Sequence, residues 1–310
     1  MNVKFVFVMN QMKHSKVERV FNDVDSIITK QIKKNQDVIN NSKIEPLTDD
    51  YEFSTNGIYF LCSHMGGGKT YFIMKHILIT ERLFKQPYYD TIIFTSTSGT
   101  LDKTVSTIQS QIQTPINYVS DVELMPFLEK HLKNKMKFYA VMEFIISDGE
   151  EVNDIMEHIL NKYKLYRIVA GRKVYDMKRI IHYCQAKMFK YNFHYYPSNT
   201  LLVLDDFAGH DLIKKVESPL SKIMTKVRHY HLTVIISAQT WRFINLNLKR
   251  LCSDIVIGVG FSMEDFQKMI TQTPSSQNWK ELWNQYKNLP SKHSKLIIHC
   301  ITGNVEFELE

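Results

Sequence analysis

The most specific chemistry in this 310-residue chain lies in eight consecutive residues, Ser63-His64-Met65-Gly66-Gly67-Gly68-Lys69-Thr70. They match the phosphate-binding loop GxxxxGK[ST] at every position but the first, where Ser63 stands in place of glycine. The residue types have physical reasons. Three successive glycines remove the Cβ atoms that would hold a phosphate away, so backbone N–H groups can converge on an anion. Lys69 brings a mobile charge to the β- and γ-phosphates, and the Thr70 hydroxyl can ligate Mg²⁺. A helical pattern from Thr70 to about Phe84 aims its partially positive N-terminus at the same point. A glycine-rich turn that only happens to precede a helix is the alternative, but Gly-Lys-Thr at a strand–helix junction favours a nucleotide. The predicted contacts are Ser63, His64, Met65, Gly66, Gly67, Gly68, Lys69, Thr70 and Tyr71.

A second group is Leu201-Leu202-Val203-Leu204-Asp205-Asp206. Four apolar residues predict a buried strand, and two carboxylates stand at its C-terminal end, where open parallel sheets place ligands. This looks like a Walker B element, with Asp205 holding Mg²⁺ through its hydration shell and Asp206 orienting or deprotonating the attacking water. A glutamate is more usual in the second place. Alone, a strand ending in acids is weak evidence; downstream of a phosphate loop it gains weight. A further buried strand, His231 to Thr240, ends in Gln239, whose amide can bond the γ-phosphate or the water. Arg228 precedes that strand, at a distance along the chain that does not place it in its own site. An arginine on a subunit edge can instead reach a neighbour's nucleotide as a finger.

The elements that must position these groups follow from pattern. Ile58 to Cys62 reads as the strand before the loop and Thr91 to Thr95 as a second buried strand, so strand, helix and strand form a right-handed parallel unit. A short strand is expected at Ile116 to Val119. From about residue 121 to 192 the signals are helical (Leu124 to Ile146, Glu151 to Leu165, Asp176 to Phe189) and read as an insertion between sheet strands. Later elements are a helix from Leu212 to Arg228 despite Pro219, a strand from Asp254 to Gly260, helices at Met263 to Thr271 and Gln277 to Leu289, and a terminal hairpin around Thr302-Gly303. The first fifty residues read as a strand (Val3 to Met9) and an amphipathic helix (about Lys16 to Asn35). The predicted class is α/β: a mainly parallel sheet over residues 51–275, an N-terminal extension (1–50), and a C-terminal helix and hairpin (276–310).

The charge is +7 with 44% hydrophobic and 23% charged residues, ordinary for a globular chain but favouring a polyanionic partner. Lysines and arginines of the insert (Lys133, Lys135, Lys137, Arg172, Lys173, Lys178, Arg179, Lys187, Lys190) alternate with Tyr175, Tyr183, Tyr191 and Phe193, which suits nucleic acid. A solvated helix face is the commoner explanation. Trp241 to Arg250, with three basic residues, is a second candidate surface. Four scattered cysteines, Cys62, Cys184, Cys252 and Cys300, suggest neither a zinc site nor a disulfide framework and fit a reducing compartment. The short N-terminal apolar run does not have the form of a signal peptide, and no run of about eighteen apolar residues predicts a membrane span.

In this order, SHMGGGKT, LLVLDDFAGHD and RHYHLTVIISAQT, with a long helical insert between the first two, resemble the FtsK/HerA superfamily of P-loop ATPases, and among them the poxvirus-type genome-packaging ATPases of large DNA viruses and virophages. The resemblance covers about residues 55 to 262. It implies a RecA-like core, ATP and Mg²⁺ as cofactors, double-stranded DNA as substrate, a ring-shaped homo-oligomer, capsid or portal partners, and a place in the host cytoplasm or viral factory and in the virion. By motif it assigns Lys69 and Thr70 to phosphate and Mg²⁺, Asp205 and Asp206 to the Walker B pair, Gln239 to sensing and Arg228 to the arginine before the sensor strand. Three other functions stay open, one of them a helicase-like motor without a capsid, which differs from a packaging motor in partner and not in chemistry. A small-molecule or nucleotide kinase would need an arginine-bearing lid, whereas this insert is long and lysine-rich. A nucleotide-braced virion component would need no water-positioning acid.

Overall fold

The computed structural model describes residues 56–84, 88–97, 112–191, 193, 196–242, 244–275 and 277–309. The strand and helix expected before residue 50 lie outside the described residues. The chain divides into two compact units, one holding residues 128–198 and the other the remaining described residues.

The larger unit opens with β1 (Ile58–Cys62), buried throughout, and α1 (Lys69–Phe84), followed by β2 (Thr91–Ser96) and the short β3 (Ile116–Tyr118). The unit boundary falls inside α2 (Asp121–Ile146). The smaller unit continues with α3 (Asp154–Tyr163), β4 (Tyr166–Val169), β5 (Arg172–Tyr175) and α4 (Met177–Tyr191). The chain returns to the larger unit through β6 (Thr200–Asp205), the short helices α5 (Asp211–Lys214) and α6 (Pro219–Met224), β7 (Leu232–Ala238) and α7 (Leu246–Leu251). It ends with β8 (Asp254–Gly258), α8 (Met263–Thr271), α9 (Trp279–Tyr286), β9 (Lys295–His299) and β10 (Val305–Glu308).

The eight-stranded sheet has the order β10-β9-β8-β1-β7-β6-β2-β3. From β8 to β3 every pairing is parallel, whereas β9 and β10 join antiparallel. This is the α/β class predicted, with the terminal hairpin extending the sheet. The central strands are nearly continuous apolar runs because both faces are covered. Tyr59, Leu61, Val203 and Ile235 face Phe72, Ile73 and Ile77 of α1 in one core cluster, and Phe60 on the opposite face meets Trp241 at 5.3 Å between ring centroids. Buried Glu81 on α1 accepts bonds from Gln113 N and Thr114 N, both 2.9 Å, fixing the entry to β3. The ion pair Lys75–Glu308 (3.0 Å) ties α1 to β10.

In the smaller unit, Phe138, Met142, Phe144, Ile159, Leu160 and Ile180 form a core of their own. The insert is not wholly helical: β4 and β5 make a two-stranded antiparallel hairpin. Its turn, Ala170-Gly171, has positive φ at both residues (49° and 76°), the primed geometry that suits strand twist. Both strands are largely exposed, so no buried run announced them.

The helix expected from Leu212 to Arg228 is also interrupted. Pro219 cannot continue a preceding turn and instead starts α6, where Ser218 Oγ caps Ser221 N at 3.0 Å. Among the described residues no helix is long and apolar enough to cross a membrane.

Candidate functional site

The loop between β1 and α1 is built as a cradle. Ser63 is fully buried, donating its backbone N–H to Ala238 O at 3.0 Å and its hydroxyl to Gly67 O at 3.4 Å. Gly66 and Gly68 have φ of 74° and 77°, which L side chains rarely adopt. A Cβ on Gly67 would lie 2.1 Å from Ser63 Oγ, and one on Gly258, at the end of β8, would lie 2.2 Å from the same atom. The serine that departs from the usual motif therefore fits because two neighbouring positions lack side chains. Lys69 curls back over the loop, donating from Nζ to Ser63 O (3.0 Å) and His64 O (3.2 Å). His64, Met65, Gly66 and Tyr71 are exposed, and Gly67, Gly68, Lys69 and Thr70 are half-buried.

Asp205 and Asp206 meet this cradle at the same edge of the sheet. β7 separates β1 from β6, pairing Cys62 with Ala238 and Leu204 with Ile236. Two strand spacings, about 10 Å, thus separate the two strands. Ser237 is the join: its hydroxyl donates to Asp205 Oδ1 at 2.5 Å and accepts from Asp206 N at 2.9 Å. Asp206 has φ of 54°, a left-handed conformation that Thr97 helps hold by donating from Oγ1 to Asp206 O at 2.8 Å. Gln239 Nε2 donates to Asp206 Oδ2 at 2.8 Å. The expected carboxylate and the expected amide are thus direct partners.

Two bordering residues escaped the sequence reading. Ser237 carries a faint signal, lying two residues before Gln239 on the same strand. His293 carries none: the ring approaches the loop from the turn before β9, its Nδ1 3.1 Å from where a Gly68 Cβ would stand.

Arg228 is not brought to this edge. It is exposed and precedes β7, whose seven residues run away from it toward Gln239. At about 3.3 Å per residue, that strand alone puts about 20 Å between Arg228 and its own chain's aspartates. The basic surfaces also need correction. Lys135 is fully buried, and Lys249 is 6% exposed, held against Trp241. Lys133, Arg172, Lys173, Lys178 and Arg179 are exposed, whereas Lys137 and Lys187 are half-buried. Lys190 has no described side chain.

The residues present suit a magnesium nucleotide. Gly66 and Gly68 hold the positive-φ turns that the loop needs, a Cβ at Gly67 would collide with Ser63 and distort it, Lys69 Nζ rests on carbonyl oxygens from which a phosphate could draw it, and α1 begins at Lys69. Among the described residues no group of three or more His, Cys, Asp or Glu could hold a metal. Thr70 and Asp205 would thus hold Mg²⁺ together with phosphate and water oxygens, the usual manner for this ion.

No family model matches the sequence, and no curated protein matches it. Among solved structures, the chain is similar to the genome packaging NTPase B204 from Sulfolobus turreted icosahedral virus 2 in complex with ATP-gammaS, at 13% identity and TM-score 0.45, over 83% of this chain and 98% of that one. It is also similar to EssC (ATPases 2 and 3) from Geobacillus thermodenitrificans, at 14% identity and TM-score 0.43, over 80% and 39% of the two chains. A third is the pCW3 conjugation coupling protein TcpA with ATPgS, at 11% identity and TM-score 0.39, over 78% and 57%.

Proposed function

We propose that this chain is an ATP-hydrolysing motor that translocates double-stranded DNA and packages a viral genome into a capsid as a ring of identical subunits. The observation that carries the ATPase reading is the convergence of the Lys69 cradle, the Asp205–Asp206 pair and Gln239 on one sheet edge. A nucleotide brace would have no use for an amide bonded to a second carboxylate. The DNA reading is supported by the net charge of +7 and by the exposed Lys133, Arg172, Lys173, Lys178 and Arg179, and by the resemblance of the three motifs to packaging ATPases.

In this reading the loop N–H groups and Lys69 bind and orient the triphosphate, and Thr70 and Asp205 hold Mg²⁺, which offsets charge on the phosphate oxygens. Asp206 accepts a proton from the attacking water while Gln239 holds it in line. Arg228 of a neighbouring subunit supplies positive charge from outside, since its own chain keeps it at the far edge. Basic side chains track DNA phosphates, so binding has little sequence preference and falls steeply with salt.

Steady-state ATP hydrolysis with and without long duplex DNA, on the wild type and Lys69→Ala, tests this. DNA-stimulated turnover that falls at least about 100-fold in the variant is expected. Phosphoryl transfer to a nucleoside or nucleotide without a DNA effect would replace the motor with a kinase. Absence of turnover in the assembled protein would replace it with a brace.

A further inference from the structure

On the sheet face away from α1, a cleft of about 420 Å³ opens beside the glycine loop, lined among others by His64, Gln239, Trp241, Lys249, Asp265 and Gln272. The geometry points to this cleft as a site for inorganic phosphate, the anion set free by ATP hydrolysis, with Lys249 as its cationic floor. The proposal rests on the ATPase reading above for the origin of the phosphate, and on the cleft itself for its binding.

Lys249 is a buried cation with too few partners. It is 6% exposed. Its ammonium gives one hydrogen bond, to Gln272 Oε1 at 3.0 Å, and lies 4.4 Å from the centroid of the Trp241 ring. The same Gln272 oxygen also accepts from Trp241 Nε1 at 2.7 Å. One of three N–H donors is thereby used, and among the described residues no carboxylate lies within ion-pair distance of Nζ. The cleft's carboxylate, Asp265, is already engaged by Arg242 Nη2 (3.0 Å) and Ser262 Oγ (2.9 Å). Arg242 and Lys268 line the cleft too, but Arg242 pairs with Asp265 and Lys268 with Glu264 of its own helix, so among the described residues Lys249 is the cleft cation left without a carboxylate. A charge partly withdrawn from water without a counter-ion is costly, and an anion arriving in the cleft offsets that cost. Burial accordingly lowers the Lys249 pKa.

Position links the cleft to the reaction. His64 belongs to the glycine loop, and its carbonyl receives Lys69 Nζ. Gln239 reaches from the cleft wall to Asp206. The cleft is thus bordered by the two residues that flank the end of the site where the γ-phosphate would be cleaved. Burial pushes the Cys62 thiol up to about 12, and the charges of Lys69 and Lys249 both pull against that rise. A phosphate leaving Lys69 has a second cation, Lys249, in the cleft that His64 also lines.

Inorganic phosphate titrated against the full chain without nucleotide, followed by tryptophan emission, tests the proposal, because Trp241 stands at the cleft. A saturable change is expected in the wild type and in Lys69→Ala, with affinity at least about tenfold weaker in Lys249→Met. A response that survives Lys249→Met and vanishes in Lys69→Ala would confine phosphate to the glycine loop and overturn the proposal. So would no response in the wild type, or a response to duplex DNA in place of phosphate. Arsenate soaked into wild-type crystals gives a reading independent of how the variants fold: anomalous density beside Lys249 Nζ supports the site, and density at the glycine loop alone rejects it. Should no ATP analogue bind, the ATPase reading falls while the titration still decides whether the cleft takes phosphate.

Discussion

Gln239 and Asp206 are hydrogen-bonded side chain to side chain, amide nitrogen to carboxylate oxygen, at 2.8 Å. The amide leaves its own oxygen free to accept from a water that the carboxylate can also reach. Gln239→Leu should therefore lower kcat by about 100-fold while leaving nucleotide affinity nearly unchanged. Gln239→Glu would put two carboxylates in contact, so its residual activity should have a pH profile moved upward. Binding titrations beside a pH–rate series check both; loss of nucleotide affinity in Gln239→Leu would contradict this role.

Ser63 occupies space left by Gly67 and Gly258, with missing Cβ positions 2.1 and 2.2 Å from its Oγ. Gly67→Ala should lower stability by about 1–3 kcal/mol through overpacking and abolish nucleotide binding. Ser63→Gly alone should bind nucleotide, and Ser63→Gly with Gly67→Ala should regain part of the lost stability. The double-mutant cycle measures the coupling, which should be large because the two residues collide directly.

Arg228 lies at the opposite edge of the sheet from its own aspartates. Arg228→Ala and Lys69→Ala subunits should each be nearly inactive alone, yet mixtures should recover part of the wild-type turnover, since some interfaces then pair an intact cradle with an intact arginine. ATPase activity across mixing ratios is the measurement. No recovery at any ratio in assembled mixtures would remove the trans role.

His76, on α1, is buried with its ring 5.4 Å from that of Tyr59, and burial drives its pKa from 6.5 to about 3. Between those values the unfolded chain binds the proton and the folded chain does not. The contribution is thus intact above pH 6.5 and lost as the pH falls through about 3, at up to about 1.4 kcal/mol per pH unit. His76→Leu should flatten the acid limb of a stability–pH curve by up to one proton. His131, similarly pushed to about 3 by burial and by Lys135, contributes equally to both proteins.

The parts legible in sequence were those in which a buried run and a motif coincide. β1, β6 and β7 are continuous apolar segments because the sheet is covered on both faces, and each ends in residues of the candidate site. Strand order was not legible, because the placement of β7 between β1 and β6 depends on pairing between residues far apart in the chain. The β4–β5 hairpin escaped because it buries so little. Lys249 misled for the opposite reason: in WRFINLNLKR it reads as surface charge, yet the turn of α7 carries it inward beside Leu248, where the Trp241 ring and Gln272 receive it.

Strands in a parallel ladder change register only in whole-residue steps, and a single step turns every side chain to the other face. Such a slip of β7 would strip both aspartates of Ser237 at once, so this sheet has no small internal travel to offer. A motor of the kind proposed would keep the nucleotide end of this sheet as one solid block, and any lever arm would have to swing outside it.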